Sequence, residues 1–271
     1  MQVTTRFRQS AVALALGAMF AGSALAQTPP PAAPAPAPAP PTPDWTFTGN
    51  VGIFSQYVFR GISQTDEKPA LQGGFDLGHK SGFYVGTWLS NVSWLSDGNP
   101  DVSASLEWDM YGGYKWELPN DFVLDLGALY YYYPGSYPSG YVKPDTTELY
   151  AALNWKMLQV KYSYSVNNKT FGFPDSRGSD YIEGNLNWDV VDKVNDWLGK
   201  VTLIGHVGHQ TFKNSGDYNY TDWKAGVAGD FSGLTVGVYV TGTDAQSSLY
   251  TNRFGKDISD TQVVGYVQKT F

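Results

Sequence analysis

Residues 147–167 read TELYAALNWKMLQVKYSYSVN. Leu149, Ala151, Leu153 and Trp155 alternate with Glu148, Tyr150, Asn154 and Lys156. After the single residue Met157, the pattern resumes. Leu158, Val160, Tyr162, Tyr164 and Val166 alternate with Gln159, Lys161, Ser163, Ser165 and Asn167. A period of two is that of a β-strand, whose successive side chains point to opposite faces. The segment therefore reads as two strands on a tight turn, each with one apolar face and one polar, partly charged face.

The same pattern recurs on both sides. Trp45, Phe47, Val51 and Ile53 oppose Thr46, Thr48 and Asn50, and the alternation runs on through Tyr57 and Phe59 to Arg60. Leu106, Trp108, Met110, Tyr114 and Trp116 oppose Glu107, Asp109, Tyr111 and Lys115. Leu234, Val236, Val238 and Val240 oppose Thr235, Gly237, Tyr239 and Thr241. The expected strands are 45–61, 68–79, 83–95, 102–116, 121–133, 146–156, 158–168, 180–190, 200–212, 219–230, 234–243 and 261–271. Each has about the 9–11 residues a tilted strand needs to cross a bilayer, or more.

Joins after even-numbered strands are mostly tight and joins after odd-numbered strands are mostly long. That is the order of an all-β, transmembrane, antiparallel up-and-down β-barrel of about 12 strands, with turns toward the periplasm and loops outside. The join at 191–199 is long yet falls on the turn side, and a short turn of helix is expected there. Trp116, Trp155, Trp188 and Trp197 read as the periplasmic aromatic girdle. Tyr57, Phe59, Trp94, Tyr130–Tyr133 and Tyr181 read as the outer one. A soluble sandwich would carry shorter strands and less regular loops. The chain ends on Phe271, as such barrels commonly do. Counting back, Lys269 falls on the face of Phe271. It therefore snorkels toward headgroups, or a bulge near Gly265 turns Val264 and Tyr266 outward.

The N-terminus carries Arg6 and Arg8, an apolar run 11–20 and Ala24-Leu25-Ala26 before Gln27. This is the order of a cleaved signal peptide. The expected domains are a signal peptide 1–26, a Pro/Ala-rich periplasmic tether 27–43 in extended polyproline form, and the barrel 44–271. Cleavage near Ala26 after Sec-type export leads to the Gram-negative outer membrane. There is no cysteine, which excludes disulfides and thiolate chemistry. Charged residues make up 16% of the chain, against about 25% in soluble proteins. The net charge of −7 falls to about −9 once Arg6 and Arg8 leave with the signal (−7 minus 2), which argues against nucleic acid as a partner.

Charges gather on the polar faces because a charged group facing lipid costs ~2–4 kcal/mol at mid-depth. Candidate lumen residues are Arg60, Asp76, Glu107, Asp109, Lys115, Asp125, Glu148, Lys161, Glu183 and Lys224, with Asp222 and Lys156 on the same expected face. Two readings follow: a water-filled pore whose inner charges set selectivity, or a narrow lumen plugged by paired charges and loops. Acids outnumber bases, which favours cations or neutral solutes. Arg253, Lys256 and Arg177, on loops, are able to reverse that if they fold inward. Arg60 either grips an anionic solute at the mouth or pairs with an inward acid, with Asp66 or with Glu67. Gly61 and Gly73–Gly74 serve curvature or close packing. His206 and His209, three apart on a strand, face opposite sides and do not share a metal. No nucleophile motif accompanies them or His79, so no enzyme activity and no cofactor are expected.

The stretch 50–94, NVGIFSQYVFRGISQTDEKPALQGGFDLGHKSGFYVGTWLSNVSW, resembles the TorF family of porins, a proteobacterial outer-membrane group. The segments that carry the likeness are YVFRGISQT, PALQGGFD and GFYVGTW followed by SNV. A looser likeness extends to Phe271. The resemblance implies an outer-membrane porin barrel and supplies neither a solute nor catalytic residues. The expected function is passive diffusion of small polar solutes. The alternative is a non-conducting structural or adhesive barrel that binds partners through its outer loops, and a barrel lipase stands third. Expected partners are outer-membrane lipid and the barrel-assembly machinery, reached through the strand ending at Phe271. A homo-oligomer is compatible with such a barrel.

Overall fold

The computed structural model describes residues 43–271. The expected signal peptide and all of the tether before Pro43 lie outside the described residues. Twelve strands form the wall: β1 (Trp45–Phe54), β2 (Ala70–His79), β3 (Phe83–Asn91), β4 (Leu106–Leu118), β5 (Phe122–Tyr132) and β6 (Thr146–Trp155), then β7 (Leu158–Ser165), β8 (Asp180–Val191), β9 (Leu198–Thr211), β10 (Tyr220–Phe231), β11 (Leu234–Thr243) and β12 (Gln262–Thr270). Each pairs antiparallel with the next, and β12 returns to β1, so the sheet has no free edge. Closure satisfies the ladder without water.

Joins alternate strictly in length. At one end they span 80–82, 119–121, 156–157, 192–197 and 232–233; at the other they span 55–69, 92–105, 133–145, 166–179, 212–219 and 244–261. We call these the turn end and the loop end. The 192–197 join is not helical. Asn195 Oδ1 accepts the amides of Trp197 and Leu198, each at 2.8 Å, so a side-chain-closed turn replaces the helical one.

Apolar side chains point out along every strand. Among the most exposed are Phe47 and Ile53 at 63% and Val238 at 45%, with Leu71, Val85, Leu149, Val160, Ile182, Val207 and Val263 between. Complete burial of such a side chain is worth roughly 1.5–3 kcal/mol and about half of that is still to be gained here, and a continuous belt of them is not the surface of a soluble monomer. Trp45, Trp116, Trp155, Trp188, Trp197 and Phe271 are exposed around the turn end.

The expected outer girdle is corrected. Tyr57, Tyr131, Tyr133 and Tyr181 are buried inside the barrel, and Phe59 and Trp94 pack on the inner cluster with them. Trp94 opens a short helix, α1 (Trp94–Gly98), in the 92–105 loop. Aromatic side chains at the loop end are spent on filling the mouth. Those facing out there include Trp108, Tyr162, Tyr164 and Trp223. Lys156 is also corrected. It sits in a turn with φ 53°, its Nζ 5.2 Å from the outward Trp155 ring, because the strand ends one residue earlier than its alternation suggests.

The C-terminal register is regular. Val51 pairs with Lys269 and Ile53 with Val267, and Phe271 exchanges backbone hydrogen bonds with Gly49 at 2.8 and 2.9 Å. Val263, Val267, Lys269 and Phe271 share the exposed face. Val264 is fully buried inside and Tyr266 stacks on Phe54. No bulge intervenes at Gly265.

Candidate functional site: the lumen and its inner hairpin

The first strand stops at Phe54, seven residues before its alternation ends, and the chain turns into the barrel. Val58–Phe59 pairs with Ile62–Ser63 around a two-residue turn. Arg60 and Gly61 form that turn, with φ of 46° and 78°, the left-handed pair that a tight hairpin demands. A side chain on Gly61 would collide with Thr243 and with Asp222. The backbone of the hairpin tip therefore rests on the wall at β11 and β10, two and three strands round from β1, and the Arg60 side chain reaches on across the lumen to Glu148 on β6.

Arg60 bears the cost of a left-handed backbone, roughly 1–2 kcal/mol, against what its guanidinium gains. Nη2 donates to Glu148 Oε2 at 2.8 Å and Nη1 to Gln210 Oε1 at 2.7 Å. The group lies 4.1 Å from the Tyr181 ring centre and 4.8 Å from that of Phe59. Arginine is suited to such a planar, stacked, doubly bonded place. The structure thus gives Arg60 a pairing role with an inward acid, from a hairpin and not from the top of a barrel strand. Asp66 and Glu67 pair elsewhere: Lys256, on the 244–261 loop, reaches Glu67 at 2.9 Å. Further ties hold the hairpin's base. Tyr57 donates to Glu107 at 2.8 Å, Ser63 N to Ile258 O at 2.8 Å, and Ser93 N to Gln64 O at 2.8 Å.

The hairpin divides the interior. On its loop side is a space of about 750 Å³, lined by Phe59, Ile62, Phe173, Phe212, Tyr220, Tyr250 and other largely apolar groups. On its other side are two polar spaces. The larger, about 1200 Å³ and partly open to solvent, is lined by Asp76, Asp109, Lys115, Asp125 and Lys161 with Tyr84, Tyr111 and Tyr150. The smaller, about 640 Å³, is lined by Arg60, Lys161, Glu183, His206, Asp222 and Lys224.

All ten candidate residues face the interior. Eight line these two polar spaces. Glu107 and Glu148 are buried at the hairpin's flank, Glu107 accepting from Tyr57 and from Tyr133 at 3.0 Å. Alternation did not single out the tyrosines that hold the acids. Tyr111 donates to Asp76 at 2.7 Å and Tyr84 to Asp125 at 2.6 Å, while Tyr84 and Tyr150 share a short hydroxyl contact. Their positions on the polar faces of β3, β4 and β6 were the available signal.

His206 faces in and His209 faces out and is exposed. His206 Nδ1 lies 2.6 Å from Asn185 Oδ1, and Nε2 lies 2.9 Å from Asp222 Oδ1 and 3.0 Å from the Tyr181 hydroxyl. Both ring nitrogens are thus engaged with wall residues. Tyr181 lies across Gly208, where a Cβ would meet its ring, and that small residue lets the network close.

A family model described as "Bacterial protein of unknown function (Gcw_chp)" matches residues 38–271. No curated protein sequence matches the chain. Among solved structures, the barrel is similar to one described as "KdgM porin", with a TM-score of 0.50 and 11% identity over 83% of this chain and 99% of that one. It is also similar to "KdgM porin in complex with disordered oligogalacturonate", with a TM-score of 0.49 and 11% identity over 83% and 99%. A NanC porin structure has a TM-score of 0.44 and 10% identity over 83% and 98%. The first likeness bears on the fold alone: a closed, porin-type barrel.

Proposed function

The chain belongs to the Gcw_chp family, and we propose that it is an outer-membrane channel of the porin kind, passing small polar solutes by diffusion. One observation carries this reading. A closed barrel presents apolar side chains outward and a wall rich in acids, lysines and hydroxyls inward. Such a pattern suits lipid outside and water inside. In this reading the chain is exported on its first 26 residues, the stretch 27–43 is a tether in the periplasm before the barrel, and the strand ending at Phe271 engages the assembly machinery. The likeness of 50–94 to TorF porins supports the same assignment.

The wall favours cations and neutral solutes. Asp76, Glu107, Asp109, Asp125, Glu148, Glu183 and Asp222 outnumber Arg60, Lys115, Lys161 and Lys224. Replacing Glu107→Gln and Asp109→Asn together lowers cation over anion permeability, read as a reversal-potential shift in a salt gradient. An unchanged potential refutes the charge assignment.

The hairpin inside the lumen supports a second reading: a closed barrel that meets external partners through its loops. Liposome swelling separates the two. Swelling in small neutral sugars supports the channel, and its absence in folded protein supports the closed barrel.

A further inference from the structure

We propose that Asp109 anchors a binding site for small organic ammonium solutes in the larger polar cavity. The proposal deepens the channel reading by naming a solute class, and rests on it only for a wet lumen.

The first observation is an acid without a partner. Asp109 points inward from β4, is 8% exposed, and its Oδ1 is enclosed with no hydrogen-bond partner among the described residues. Buried acids that belong to finished scaffolding are held by donors. Every other acid nearby meets that expectation. Asp76 is held by Tyr111 and Asp125 by Tyr84. Glu107 is held by Tyr57 and Tyr133, and Glu148 by Arg60 and by Tyr131 at 3.2 Å.

The second observation is local charge. Glu107, Asp109 and Glu148 face the same region beside the hairpin, and among the described residues the one guanidinium there, Arg60, is committed to Glu148. Like charges in a poorly solvated wall are relieved either by taking up a proton or by a further cation, and a cationic solute meets that need. The lysines in the same cavity do not supply it. Lys115 Nζ sits 4.8 Å from the Tyr84 ring centre and Lys161 Nζ sits 4.7 Å from that of Tyr150. Among the described residues, no three acidic or histidine side chains converge as a metal-ligand set. An organic cation fits better.

The third observation is the lining. Tyr57, Trp88, Tyr131 and Tyr111 share the cavity with Asp109, and Trp88 is its cross-strand partner. Aromatic faces beside a carboxylate attract alkylated ammonium groups through the ring quadrupole. The space is partly open to solvent, so such a solute enters with its water. Anions meet three carboxylates, and neutral solutes gain nothing from Asp109.

Calorimetry on the full, folded chain in detergent tests this with choline, its uncharged carbon isostere and acetate. Choline binds to the wild type; the isostere and acetate bind at least about tenfold more weakly, the scale of a lost charge-assisted contact. Asp109→Asn, which preserves shape, weakens choline by a similar factor. Equal binding of choline and its isostere overturns the proposal without needing any variant. So does undiminished binding in folded Asp109→Asn, or no choline binding in wild type that swells liposomes with neutral sugars. Failure of swelling with choline binding intact counts against the channel and leaves the site standing.

Discussion

Arg60 shows how one residue joins backbone strain, charge and access. Its side chain and that of Glu148 are 6% and 3% exposed, so truncating it leaves a buried carboxylate without its cation. Breaking such a pair costs about 3–5 kcal/mol. Arg60→Ala therefore undocks the hairpin before it unfolds the barrel. Amide exchange in 55–69 is expected to rise sharply while the strand ladder stays protected. Uniform loss of protection would show that Arg60 supports the wall itself. Gly61→Val gives the same local outcome by a different route, since its side chain enters the volume of Thr243 and Asp222. Arg60 was legible as a paired residue, because a lone inward guanidinium needs an acid. Its partner was not legible, because Glu148 lies 88 positions along the chain.

At the scale of elements, alternation carried most of the information. β11 lies where period two places it, and β6 and β7 start there and stop one and three residues early, since each has lipid-suited groups on one face and water-suited groups on the other. The end of β1 was hidden for a physical reason. Gln56, Tyr57, Val58, Phe59 and Arg60 continue a two-residue rhythm, and an inner hairpin obeys the same rhythm as a wall strand. The aromatic mouth was misread likewise: Tyr131 and Tyr133 alternate with Tyr130 and Tyr132, and only packing tells which pair turns in. Facing makes a direct prediction. Val238→Arg, on the outward face in the middle of β11, costs ~2–4 kcal/mol in urea unfolding from lipid vesicles. Thr235→Lys, on the inward face of the same strand, costs under about 1 kcal/mol. Equal costs would contradict the assignment of faces.

At the largest scale, the described residues form a closed wall around a divided lumen. An aromatic chamber on the loop side and a polar chamber beyond it are separated by one hairpin, which is held by Arg60, Tyr57 and the ties from Ile258 and Lys256. Closure of the wall followed from the strand count and the alternation of loop lengths. The division of the lumen did not, because it depends on contacts between residues far apart in sequence.

The most direct test is single-channel conductance in planar bilayers. Wild type is compared with a variant in which residues 57–67 are replaced by a short Gly/Ser linker, both shown to be folded by a mobility shift between unboiled and boiled samples. Small steps are expected from wild type and steps several-fold larger from the variant. Folded protein that gives no steps with or without the hairpin would contradict the account.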